Sequence, residues 1–130
     1  MRGDGAEALI AIVDDEASMR EATESLVKSV GFVAETFASA EDFLRSGCSR
    51  RARCVVLDVR LPGMSGLDLQ QYLRAMRSPI SIVFMTAHAE GGTEERARSA
   101  GATAFLRKPF DSGQLIAAIR NGLRTYTKDQ

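Results

Sequence analysis

A doubly wound α/β fold, with one parallel sheet and helices on both faces, is what this sequence predicts. Three observations carry that reading. Short β-rich apolar runs alternate five times with segments of helical period. The strong runs are continuously apolar but for Ser81, which suits strands covered on both faces. Charged and hydroxyl side chains collect just after the runs end, where open parallel sheets hold their ligands.

The first run is Leu9-Ile10-Ala11-Ile12-Val13, too short for a typical helix. Ala22, Leu26, Val27 and Val30 then recur at helical spacing, and Gly31 stops that helix. Phe32 to Thr36 is a weaker second strand. Ser39 is an N-cap for a helix that closes near Gly47. Cys54-Val55-Val56-Leu57 is the third strand. Leu67, Leu69, Tyr72, Leu73 and Met76 form the next helical stripe, with Pro79 downstream. Ile80 to Met85 is the fourth strand, and Thr93 to Ala100 a short polar helix ended by Gly101. Ala102 to Arg107 is a weak fifth strand. Leu115, Ile116, Ile119 and Leu123 mark the last helix. Strand–helix alternation of this kind implies right-handed crossovers.

A chain of 130 residues makes one ordinary domain, and 45% hydrophobic residues are enough for a core. Seventeen basic and seventeen acidic residues cancel, so the long-range field that non-specific nucleic-acid binding needs is lacking. No apolar run approaches the ~20 residues of a membrane span. Met1 to Gly5 has no apolar stretch behind its charge and does not read as a signal peptide. Cys48 and Cys54 fit neither a disulfide framework nor the usual zinc spacings, so a reduced, cytoplasmic protein is expected.

The chemistry lies past the strands. Asp14, Asp15 and Glu16 follow the first, Asp58 the third, Thr86 and Ala87 the fourth, Lys108 and Pro109 the fifth. Two unit charges ~5 Å apart repel by roughly 3 kcal/mol at an effective dielectric of 20. Either one acid keeps its proton or a cation sits between them. Hard oxygen donors of this kind select Mg²⁺, its other positions going to water or phosphate oxygens. Lys108 adds neutralising charge and Thr86 a hydroxyl donor. The set suits a dianionic phosphoryl group carried on a carboxylate.

The sequence resembles the receiver domains of two-component response regulators. The resemblance rests on Ile12-Val13-Asp14-Asp15-Glu16, Leu57 to Gly66, Met85-Thr86-Ala87, and Gly101-Ala102 through Lys108-Pro109-Phe110, in that order. It covers roughly residues 7 to 124 and implies a flavodoxin-like (βα)5 fold, a five-stranded parallel sheet of order 2-1-3-4-5. Residues 1–6 would be an N-terminal extension, and 125–130 a tail or the start of a linker.

What the resemblance implies can be stated residue by residue. Asp58 is the phosphoacceptor, taking a phosphoryl group from a histidine kinase or phosphotransfer protein. Asp15, Asp58 and the backbone carbonyl of Arg60 ligate Mg²⁺, and Asp14 acts through water or by holding Lys108. Lys108 and Thr86 each bind a phosphoryl oxygen. Pro109 matches the family's cis-proline. Phe105 matches its switch aromatic, which would rotate into space that Thr86 vacates and repack the face of the fourth helix, fifth strand and fifth helix. A phosphorylation-dependent homodimer through that face fits the same pattern. The wording is closest to the FixJ/NarL-like receivers, which precede a helix-turn-helix domain. DNA would be met only through such an output domain, which these 130 residues do not include. An excised receiver and a stand-alone one both fit.

Plainer readings exist for each residue taken alone. Asp14 and Asp15 would charge a helix N-terminus; Thr86 would cap a strand end, and Phe105 would be core. Their joint register at four strand ends outweighs these. His88 is either a solvated loop residue or, with Arg60, a shield over the acyl phosphate. Met19, on the first helix, fits a half-buried place or a kinase anchor. Cys48 reads as a helix-end thiol, Cys54 as a buried strand residue. Arg50-Arg51-Ala52-Arg53 reads as a solvated loop rather than a nucleic-acid patch. Gly63 and Gly66 suit a loop with unusual backbone angles.

Three other functions compete. A Mg²⁺-dependent phosphohydrolase needs an acid two residues past the nucleophile, where Arg60 stands. A flavodoxin needs a Ser/Thr/Gly-rich phosphate loop where Asp14-Asp15-Glu16 lie. A degenerate receiver would lack part of the acceptor set, which is complete here.

Overall fold

A computed structural model describes residues 8–87 and 91–126. The elements run β1 (Leu9–Val13), α1 (Ala17–Ser29), β2 (Val33–Phe37), α2 (Ala40–Ser46), β3 (Cys54–Asp58), α3 (Gly66–Ala75), β4 (Ser81–Thr86), α4 (Thr93–Ser99), β5 (Ala104–Arg107) and α5 (Ser112–Tyr126), with one 3₁₀ turn at Cys48–Arg50. All pairings are parallel, in the order β2-β1-β3-β4-β5. The expected sheet order and alternation hold, with strand bounds shifted by one or two residues.

The continuous apolar runs have the predicted cause. Ala11, Val13, Val55, Leu57, Ile82 and Phe84 point to one face, where α2, α3 and α4 supply Phe43, Leu69, Leu73 and Ala97. Their alternates Ile10, Ile12, Cys54, Val56, Val83 and Met85 point to the other, under Val27 of α1 and Leu115 and Ile119 of α5. Period-two side chains thus fill two cores at once.

Local signals set several helix ends. The Ser39 hydroxyl accepts from the Asp42 N–H at 3.0 Å, and Gly47 closes α2 in the left-handed region. Ser65 and Asp68 exchange bonds of 3.0 and 3.1 Å in a capping box that starts α3.

Three helical readings need correction. Ala22 is exposed, and α1 instead buries Thr23, whose hydroxyl donates to the Met19 carbonyl at 2.8 Å. Tyr72 and Met76 are 44% and 63% exposed, while Gln70 is buried and donates to the Ala97 carbonyl at 2.9 Å. An apolar residue at helical spacing was not enough to place it inside; the neighbouring helix decided which stripe was covered. Gly66 has no positive φ, unlike Gly63 at +74°. It is required for closeness instead: a Cβ there would lie 2.3 Å from the Asp58 carbonyl oxygen.

Candidate functional site

Asp14, Asp58 and Lys108 arrive at one rim because three strands end there. Asp58 continues the series Cys54, Val56 that faces α1 and α5, and Asp14 directly follows β1. Thr86 continues Ile82, Phe84 on the opposite side, the side that also takes Phe105. The Val59 N–H bonds to the Met85 carbonyl at 3.2 Å, and the Lys108 N–H to the Thr86 carbonyl at 2.8 Å. The rim is therefore extended by backbone bonds beyond the regular ladder.

Asp14, Asp15 and Asp58 each offer a carboxylate oxygen, and these atoms lie within 4.8 Å of one another. Asp14 is fully buried, Asp58 is 7% exposed, and Asp15 is exposed. The Lys108 ammonium stands 3.3 Å from Asp58 Oδ2 and 3.5 Å from Asp14 Oδ2. Asp58 Oδ1 accepts from the Arg60 N–H at 3.0 Å. Asp14 Oδ1 accepts from the Glu16 N–H at 3.0 Å, and its carbonyl from the Arg20 guanidinium at 2.7 Å. These bonds fix both carboxylates and leave other oxygens turned toward the lysine.

Burial raises the Asp58 carboxyl above its ordinary value, and the charge of Asp14 adds to that. The Arg60 N–H and the Lys108 ammonium pull the other way. One ammonium among three carboxylates leaves the cluster short of positive charge. Acid oxygens this close, with no sulfur or imidazole ligand in the cluster, fit a hard divalent cation such as Mg²⁺.

Of the residues named from sequence, Asp14, Asp15, Asp58 and Lys108 come together, with the Arg60 backbone bonded to Asp58. Thr86 is buried at the end of β4. The Lys108–Pro109 peptide is cis. Phe105 is 6% exposed, its ring 6.0 Å from that of Phe84. The ring is thus packed against the core side of the sheet. Above it, Arg107 lies 5.9 Å from the ring centroid and pairs with Glu94 of α4 at 2.9 Å. His88 lies outside the described residues.

Sequence reading missed Glu41 and Arg20. Glu41, in the first turn of α2, accepts from the Met64 N–H at 2.8 Å and so holds the loop after Asp58. An acid 23 residues from its partner has no local signal. Arg20, one helical turn past the acidic pair, could have been found by its spacing.

Known proteins agree with this geometry. The response regulator receiver domain, as a sequence family, matches residues 10–120. The response regulator protein TodT of Pseudomonas putida is 40% identical over 117 residues, covering 90% of this chain and 52% of that protein. The transcriptional regulatory protein FixJ of Bradyrhizobium diazoefficiens is 37% identical over 115 residues, covering 88% and 56%. The solved response regulator StyR superposes with a TM-score of 0.87 at 43% identity, over 94% of this chain and 62% of that one. The chain spans about half the length of the curated relatives it matches. No helix among the described residues is long and apolar enough to cross a membrane. On these matches and this rim of acids, the chain belongs to the response regulator receiver family of two-component signalling.

Proposed function

We propose that this domain is a phosphorylation-dependent switch in the cytoplasm, with Asp58 as the acceptor. The observation that carries the reading is the Asp58 carboxylate, held at a strand end beside Lys108 and within 4.8 Å of two further acids. The Asp58 oxygen attacks phosphorus of a phosphohistidine on a histidine kinase or phosphotransfer protein. The P–N bond breaks, and its electron pair leaves with the imidazole. Mg²⁺, held by Asp15, Asp58 and the Arg60 carbonyl, would supply the positive charge that an acceptor carboxylate and a phosphoryl group both need. Asp14 anchors Lys108, Lys108 meets a phosphoryl oxygen, and Thr86 donates to another. Positioning and charge neutralisation can carry most of such a transfer, and no general base is required.

The output would leave through α4, β5 and α5. The Glu94–Arg107 pair and the Phe84–Phe105 contact already join α4, β5 and the core there. Phosphoryl contacts at Thr86 and Lys108 shift the population of that face only by their difference in free energy between its two states. A homodimer through this face, or an output domain that binds DNA, as the names of regulatory relatives such as FixJ suggest, would read the change. The receiver would span residues 7–124, with 1–6 an extension and 125–130 a tail or linker.

Acetyl phosphate and Mg²⁺, followed by intact mass, test the acceptor. A gain of about 80 Da, one phosphoryl group, is expected. Its persistence in Asp58→Ala would overturn the assignment.

A further inference from the structure

The acceptor rim leaves one sequence feature unused, the Arg50-Arg51-Ala52-Arg53 run. In the structure two of its residues, Arg50 and Ala52, line a groove of about 420 Å³ at the opposite end of the sheet. Ala52 precedes β3, and Ser78 and Pro79 precede β4, so the groove sits where the strands begin. Five residues of strand, about 16 Å, separate that edge from the Asp58 end.

The groove is apolar in its floor and basic at its rim. Leu44, Ala52 and Leu73 line it, and Tyr72 and Met76, one turn apart on α3, form an exposed lip. Arg50 and Arg77 stand beside them. Residues 44–52 and 72–79, which supply these walls, contain five arginines and no aspartate or glutamate. In a chain of zero net charge that is a marked segregation. Arg45 and Arg51 pair with Asp42 and Glu35 from outside the walls. Arg50 and Arg77 have no side-chain hydrogen bond or ion pair among the described residues.

Arg77 carries a second signal. It sits at φ +58°, in the left-handed region, directly after the last turn of α3. Its N–H bonds to the Arg74 carbonyl at 2.9 Å and the Ser78 N–H to the Leu73 carbonyl at 3.0 Å, a helix stop that glycine normally fills. An arginine there costs stability, and no partner among the described residues compensates through its guanidinium.

We propose that this groove is a docking site for an acidic amphipathic helix of a protein partner. Its apolar side chains would enter between Leu44 and Leu73 and pack on Tyr72 and Met76, and its carboxylates would meet Arg50 and Arg77. The charge selects this occupant. A second copy docked through the same face would bring arginines against arginines. Nucleic acid would bring phosphates to a trough whose floor is hydrocarbon. The site is independent of the acceptor reading, since no residue of the rim lines it.

The probe is a helical peptide of about 14 residues, roughly four turns, with Leu at helical spacing on one face and Glu on the other. A lysine-for-glutamate version and a short DNA duplex are the comparisons. In an amide NMR titration, the acidic peptide is expected to shift Leu44, Ala52, Leu73 and Arg77 saturably. Arg77→Gly should weaken binding about threefold to fivefold, as should Arg50→Ser, and added salt should weaken it further. Arg77→Gly also raises the unfolding midpoint, so lost binding cannot be lost folding. Equal binding of the lysine peptide, tighter binding of DNA, a dimer formed through this face, no binding of the acidic peptide, or unchanged binding by Arg77→Gly would each overturn the proposal.

Discussion

At the carboxyl edge of the sheet three carboxylates crowd together and two of them share one lysine; at the amino edge two arginines flank an apolar groove without a carboxylate. The same strands build both ends. The difference lies in burial. Asp14 and Asp58 are buried and held by backbone hydrogen bonds, so their repulsion is not relieved by moving apart. Arg50 and Arg77 are exposed, and solvent screens them at little cost. Charge crowded in a fixed, dry place is suited to chemistry, and charge held loosely around an apolar trough is suited to recognition.

The largest expected effect breaks the carboxyl edge alone. Lys108→Met should slow phosphoryl transfer from acetyl phosphate by about a hundredfold to a thousandfold, the usual loss when one charged donor goes. Stopped-flow or mass-resolved time courses would read this, and a change under threefold would remove Lys108 from the chemistry. Next is the backbone beneath that edge. Gly66→Ala puts a Cβ 2.3 Å from the Asp58 carbonyl oxygen, which belongs to a buried strand and cannot yield. Denaturant titration should show a loss of about 2 kcal/mol.

Asp58→Asn tests the electrostatic side of the comparison. The folded carboxyl is raised above the ordinary 3.8, so the folded state holds its proton to higher pH than the unfolded state. As pH rises from 3.8 through the raised value, this group's contribution lowers stability, and the cost is fully present above it. The amide removes that cost. At neutral pH Asp58→Asn should be more stable by on the order of 1 kcal/mol, because the amide removes the cost of burying a charge, and that outweighs the lost attraction to Lys108. Its stability should lack the decline with pH that this group gives the parent. A variant less stable than the parent at pH 7 would show that Lys108 already satisfies the cluster.

The smallest effect is at the amino edge. Arg77→Gly should add up to about 1 kcal/mol by relieving a left-handed residue, read as a higher melting midpoint. An unchanged midpoint would mean the backbone there is not strained.

Much of the carboxyl edge was legible in the sequence. Asp14-Asp15, Asp58, Thr86 and Lys108 each follow a strong or weak apolar run, and parallel strands bring such positions to one rim. The amino edge was not legible. Arg50 to Arg53 read as a solvated loop, and Tyr72 and Met76 as members of one apolar stripe with Leu69 and Leu73. Only the packing of α3 shows that Gln70 turns inward to the Ala97 carbonyl while Tyr72 and Met76 stay out. The hold of Glu41 on the Met64 N–H was invisible for the same reason.

The order of strands and helices, the two-sided burial of the sheet and the residues on its reactive rim came from the sequence by itself, because period, capping and strand ends are local properties written in neighbouring residues. Which stripe of each helix is covered, which glycine answers to closeness rather than to φ, and how two arginines come to flank one groove were decided only by tertiary structure. Those depend on distances between segments far apart in the chain, and no local pattern encodes a distance.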